Sequence, residues 1–171
     1  GITRFASETR QKLNHFVSID MVSLEEHDTD KKQYFKGTKR QQVKHLKIPK
    51  HIQECLWSQP ACANTKLVPG RISLCVGMPV MIHVNSATEL AVTKGQEAVV
   101  HSWECGIVPE YGKVLDTLFV CLIHPPTAVQ ITGLPEHAVP LTRTTVNTSV
   151  QLPDNTNIVI ACNQIEMLPN F

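Results

Sequence analysis

Between Arg71 and Gln96 the chain reads RISLCVGMPVMIHVNSATELAVTKGQ, and this stretch restricts the fold more than any other. Ile72, Leu74 and Val76 alternate with Ser73 and Cys75. After a break, Val80, Ile82 and Val84 alternate with Met81, His83 and Asn85. A period of two is that of a half-buried strand. The break is Gly77-Met78-Pro79. Gly77 permits a bend or bulge and Pro79 removes a ladder donor, so the chain must turn there between two β segments. Lys94-Gly95 would then close a hairpin, with Gly95 free to take a positive φ. Two readings of this corner stand side by side: pure core architecture, or a basic turn presented to a ligand.

The residues that follow keep the β pattern. KGQEAVVHSWE reads as a turn and a strand. VLDTLFVCLIHPP is apolar on both faces in its second half, which predicts a strand running through the middle of a sheet. TAVQITGLP, AVPLTRTTVNTSVQLP and TNIVIACNQIEMLP supply three more strands, each bounded by Pro, Gly or Asn. About six strands spaced by turn signals suggest a small barrel or a sandwich. Before residue 70 the pattern is helical and polar. ITRFASETRQKL predicts a short helix over 2–13, with Ile2, Phe5, Ala6 and Leu13 near one face and Thr3 capping the first turn. NHFVSID predicts one brief strand. IPKHIQECLWSQP predicts a second helix, with Pro49 in its first turn, Pro60 as its stop and Ile52 and Leu56 as an apolar pair. The expected class is α+β, mainly β.

At 171 residues the chain fits one domain, or a domain with an attached arm. It contains no apolar run of about 18 residues, and GITRFASETRQ lacks the apolar centre of a signal peptide. No membrane is expected as a partner, and an intracellular protein is the expectation. Charge is uneven: residues 1–70 carry 12 Lys/Arg against 7 Asp/Glu, whereas residues 71–171 carry 4 against 8. The positive excess collects in an arm that runs EEHDTDKKQYFKGTKRQQVKHLKIPK, where Lys31, Lys32, Lys36, Lys39, Arg40, Lys44, Lys47 and Lys50 have no acid between them. Tyr34 and Phe35 sit among them. Cations neutralise phosphates and aromatic faces stack on unpaired bases, so single-stranded nucleic acid is one reading of the arm. A solvated loop balanced by the preceding acids is the other.

Other chemistry finds little footing. Of six cysteines, Cys75 and Cys121 lie in apolar strand-like runs, where free buried thiols are common, and disulfides are not expected. His51 and Cys55 stand four apart on the second predicted helix with Cys62 following, but no Cys-x-x-Cys or fourth ligand accompanies them, so no metal is expected. Neither a Gly-x-Ser-x-Gly elbow nor a Gly-x-x-x-x-Gly-Lys-Ser/Thr phosphate loop is present, and no catalytic residue is assigned.

The stretch GRISLCVGMPVMIHVNSATELAVTKGQEAVV resembles the segment of Pif-one-type DNA helicases that runs Leu-x-Val-Gly-x-x-Val-Met, then Asn, then Asn-Gly. These are superfamily-one enzymes related to RecD, and the chain is most similar to helicase-like proteins of fungal transposons of the Helitron type. FASETRQKLNHFVSID, LDTLFVCLIHPP, ITGLPEHAVPLT and QIEMLPNF extend the resemblance over nearly the whole chain. It implies a fragment of the second motor half, in which an SH3-like small β-barrel is inserted into a RecA-like domain. Residues 1–20 would belong to the RecA-like part, 21–47 to a charged loop or arm, and 48–69 to a helix and linker. Residues 70–171 would form the β-rich domain with its barrel and lead back to the RecA-like core. The implied partners are single-stranded DNA and the remaining helicase domains, and the implied location is the nucleus. ATP and magnesium are implied for the parent helicase, with no cofactor in this chain.

Within that frame, the candidate DNA contacts are His83, Asn85, Lys94 and Gly95 at the corner, and Lys39, Arg40 and Lys44 in the arm, with Gly77 and Pro79 as structural residues. The sequence departs from the family at Lys94-Gly95, where Asn-Gly is usual, at Cys162, where Arg is common, and at Glu166, where Pro is common. The missing cation at 162 weakens the expectation of phosphate contact at the C-terminal edge. A stand-alone SH3-like module that binds protein or peptide, and a transposon relic that binds nothing, are the alternative readings.

Overall fold

The computed structural model describes residues 1–23, 45–58, 70–82, 95–109, 111–151, 155 and 157–171. The expected class holds: the described residues form two short helices and eleven strands, an α+β arrangement that is mainly β.

Helix α1 (Ile2–Glu8) is shorter than its periodicity predicts. Thr9 ends it by turning its backbone N–H and its hydroxyl onto the Phe5 carbonyl, and Arg10 follows at φ +54°. Thr3 does not cap the helix; Gly1 stands at the N-cap with no side-chain bond. Ala6 is buried, and Ile2, Phe5 and Leu13 pack against the main core, so the apolar face is as expected even though Leu13 lies beyond the helix.

NHFVSID is not one strand but two. β1 (Asn14–Val17) pairs antiparallel with β4 (Arg71–Leu74), whereas β2 (Ile19–Ser23) joins a different sheet. Ser18 is the crossing point, and its N–H donates to the Gly70 carbonyl at 2.9 Å. The same division recurs twice. AVPLTRTTVNTSVQ splits at Arg143 into β8 (Ala138–Thr142) and β9 (Thr144–Gln151). NIVIACNQIEMLP splits at Ile165-Glu166 into β10 (Asn157–Gln164) and β11 (Met167–Pro169). TAVQITGLP forms no strand; Val129 is buried there, and His137 N–H returns to the Val129 carbonyl at 2.7 Å.

Three sheets result. One is the β1–β4 pair. The second has the order β3-β2-β10-β9, with β3 being His45–Lys47. The third has the order β11-β5-β6-β7-β8, built from β5 (Pro79–Ile82), β6 (Glu97–Val108) and β7 (Gly112–Leu122). As its apolar faces predict, β7 runs inside this sheet, between β6 and β8. The expected SH3-like barrel is not found: none of the sheets closes among the described residues. Strands β11 and β8 end the five-stranded sheet on opposite sides, and the chain leaves β8 at Arg143 for the second sheet instead of returning to close the first.

Two apolar cores correspond to this division. The larger joins Phe16, Ile72 and Leu74 of the two-stranded sheet to Val80, Ile82, Leu115, Leu118 and Val120 of the five-stranded one. The smaller lies under helix α2 (Lys50–Ser58), where Ile48 and Leu56 meet Ile160 and Cys162, with Ile52 packed beside them. Pro49 sits just ahead of α2, and its carbonyl accepts from the Ile52 and Gln53 N–H groups. Gly70 lies directly against α2. A Cβ there would lie 2.8 Å from the Leu56 carbonyl oxygen and 3.1 Å from the Trp57 Cα, both backbone atoms of α2. Gly70→Ala must therefore push the helix away, and is expected to lower stability by about 1–3 kcal/mol, read as a shift in the denaturant midpoint.

Candidate nucleic-acid interface

The corner at residues 75–79 moves the chain from the two-stranded sheet into the five-stranded one. β4 ends at Leu74 and β5 begins at Pro79. Between them Gly77 adopts φ +78°, a conformation that favours glycine. Its N–H donates to the Val100 carbonyl at 2.8 Å, and Val100 N–H returns to the Met78 carbonyl at 2.9 Å. The bend is thus docked onto β6, with Cys75 and Met78 buried beneath it. Gln11 holds it from the other side: its amide donates to the Val76 carbonyl at 2.7 Å and accepts from Val76 N–H at 3.0 Å. Pro79 sits opposite Val99, and its carbonyl accepts from Asn170 N–H.

Further along the same strand pair lies a stem. Gly95 N–H donates to the Ile82 carbonyl at 2.8 Å, and Ile82 N–H to the Gln96 carbonyl at 2.9 Å. Gly95 has φ +86° and nothing within 4 Å of where a Cβ would stand. Ile82 and Gly95 are thus held side by side, next to the strands that carry the corner. Of the predicted site residues, this brings Gly77, Pro79 and Gly95 onto the β5–β6 pair. His83, Asn85 and Lys94 lie outside the described residues, as do Lys39, Arg40 and Lys44. The arm's described ends, residues 21–23 and 45–47, pair with one another as β2 and β3.

The described surface adds two cations, Arg71 and Lys113, that the sequence did not single out. On the outer face of the β1–β4 pair, His15 Nδ1 meets Ser73 Oγ at 2.7 Å, and exposed Arg71 stands opposite Val17. Lys113 lies 4.9 Å from the centroid of the Phe16 ring and donates to Asn14 Oδ1 at 3.2 Å. These cations come from separate places in the sequence, so no local run announced them. Arg143 is different. Its guanidinium is committed to Asn163, through the side-chain oxygen and the carbonyl, and to Asp116 Oδ1 at 3.8 Å. Burial lowers its pKa, against the fields of Asp116 and Asp20.

A second polar group sits inside. Phe16, Ser18 and Asp20 are each at most 1 % exposed. Their spacing of two is the signal that could have marked Ser18 and Asp20 as interior. Ser18 Oγ and Gln53 Nε2 both donate to Asp20 Oδ2, at 2.8 and 2.6 Å. Cys162 is the cross-strand neighbour of Asp20, and burial followed by the Asp20 charge pushes its thiol well above the ordinary range. Position 162 therefore faces a buried carboxylate rather than solvent. Glu166 accepts from Thr144 Oγ1 at 2.9 Å. Above the group, Trp57 donates to the Ser18 carbonyl at 3.3 Å and meets Tyr111 edge-on at 6.4 Å, which ties α2 to the end of the β6–β7 hairpin.

Among the described residues, no group of three or more His, Cys, Asp or Glu side chains is placed to hold a metal ion.

No family model and no curated protein matches the chain. Among solved structures it is similar to the Pif1 helicase from Candida albicans, at 13% identity and a TM-score of 0.49, covering 98% of this chain and 31% of that one. It is also similar to Bacteroides Pif1 bound to ssDNA, at 13% identity and a TM-score of 0.46, covering 98% of this chain and 27% of that one. Unliganded Pif1 from Bacteroides sp gives 10% identity and a TM-score of 0.46, over 98% of this chain and 36% of that one. The chain thus spans between a quarter and two fifths of the length of these helicases.

Proposed function

We propose that this chain is part of a Pif-one-type DNA helicase, of the kind carried by fungal transposons, and that it contributes a grip on single-stranded DNA. ATP and magnesium would act on residues other than these. The grip is electrostatic and stacking in character, with little reading of bases. The observation that carries this reading is the stem at Ile82 and Gly95. It adjoins the docked corner, and the segment between those two residues contains His83, Asn85 and Lys94. This is also the stretch whose sequence most resembles the helicase family. A sheet that anchors both ends of a segment ending in Lys94 suits contact with a phosphate chain.

Lys94→Glu tests it. The variant is expected to bind a fluorescent oligothymidylate more weakly by on the order of threefold or more at low salt, with its melting temperature unchanged. Unchanged affinity and unchanged melting together would reduce Lys94 to a turn residue.

A further inference from the structure

We propose that His124 is a base-stacking contact of the single strand, set beside the stem at Ile82 and Gly95. The inference rests on the helicase reading and adds to it a residue that the sequence did not single out. His124 follows β7 and opens the connection to β8. Its place is fixed by the residue before it. Ile123 N–H donates to the Glu97 carbonyl at 2.8 Å, and Gln96 Nε2 donates to the Ile123 carbonyl at 2.8 Å. Gln96 directly follows Gly95, and its own carbonyl accepts from Ile82 N–H. His124 is therefore one residue from a point bonded to both Gln96 and Glu97, at the end of the sheet that carries the stem.

Its backbone sets it apart. His124 has φ +47°, where residues other than glycine are uncommon. It also precedes Pro125, and a residue before proline is steered toward extended backbone with negative φ. The other described non-glycine residues with positive φ are Arg10, His137 and Asn155. Arg10 follows helix α1 and donates its N–H to the Ser7 carbonyl at 3.2 Å. His137 is held by its N–H on the Val129 carbonyl and by its own carbonyl, which accepts from Leu122 N–H. Asparagine visits this region readily. His124 has no such cause: it is exposed, and its ring makes no hydrogen bond, ion pair or ring contact among the described residues. The fold thus keeps an aromatic ring outward in a disfavoured conformation, with no polar or ring contact in return. Such a conformation points to a role toward a partner. An exposed imidazole plane suits an unpaired base. A phosphate suits this spot less, because exposed Glu97, held by Asn170 Nδ2 at 3.0 Å, places a carboxylate at the same end of the sheet.

The test is fluorescence anisotropy of the full 171-residue chain with an oligothymidylate and with an abasic strand of equal length, at mildly alkaline pH across a salt series. Glycine accepts the positive φ, so His124→Gly should melt no lower than the unaltered chain. It is expected to bind oligothymidylate more weakly by about fivefold or more, with the abasic strand and the salt slope unaffected. On the unaltered chain, the His124 ring-proton resonances should shift with oligothymidylate and not with the abasic strand. Unshifted resonances overturn the inference. Oligothymidylate affinity of His124→Gly equal to that of the unaltered chain overturns it too, and leaves the helicase reading standing. So does a loss shared by the abasic strand, or a slope flattened by about 0.7, since either makes the residue a phosphate contact. No binding by the unaltered chain overturns the helicase reading and this inference with it.

Discussion

Phe16→Ala is expected to lower the stability of the chain by about 3–5 kcal/mol. The ring is completely buried on β1, on the same face as Ile72 and Leu74 of its partner strand. It meets Trp103 of β6 edge-on at 6.0 Å and 73°. Phe16 therefore joins the two-stranded sheet to the five-stranded one, and truncation leaves a cavity between rigid elements that cannot easily collapse. Lys113 over the ring adds a cation–π contact that the variant also loses. Ile107→Ala is the matched control: that side chain is 83 % exposed on β6, and its truncation should move stability by no more than about 0.5 kcal/mol. Urea unfolding followed by circular dichroism separates the two. A loss below about 1 kcal/mol for Phe16→Ala would mean that the sheets do not share this core.

The triple replacement of Lys39, Arg40 and Lys44 by alanine is the second large effect. Each cation that neutralises a phosphate of a single strand steepens the dependence of log affinity on log salt by about 0.7. Removing three should flatten the slope by about 2 and weaken binding at low salt by more than tenfold. The melting temperature is read alongside, so that lost contact is separated from lost fold. An unchanged slope with unchanged affinity would remove the arm from the interface and leave the solvated-loop reading.

The sequence made the local elements legible and the connections between sheets illegible. Alternation over Ile72–Leu74 and Val80–Ile82, the break at Gly77 and the helix after Pro49 are all set by neighbours a few residues apart, and the structure has them; at the corner itself the alternation fails, with Cys75 buried and Val76 exposed. A strand that changes sheets keeps its alternation through the change. The runs through Ser18, Arg143 and Ile165 therefore read as single strands although each is two. The closed barrel failed for the same reason: closure depends on where β8 and β11 go next, which strand periodicity does not encode. TAVQITGLP has β-favouring residues but buries only Val129, so packing and not propensity decided it. The Asp20–Gln53 bond spans 33 residues and the contact of Lys113 with Asn14 spans 99, distances at which no motif operates. The corner was legible as a bend, while its docking by Gln11 and Val100 was not.

We propose that this chain holds single-stranded DNA by its phosphates. Its most direct test is the affinity of the unaltered chain for an oligothymidylate, measured by fluorescence anisotropy across a salt series. The expected result is binding whose log affinity falls linearly with log salt, by about 0.7 for every phosphate contacted. Absence of binding at low salt, or an affinity indifferent to salt, would contradict it.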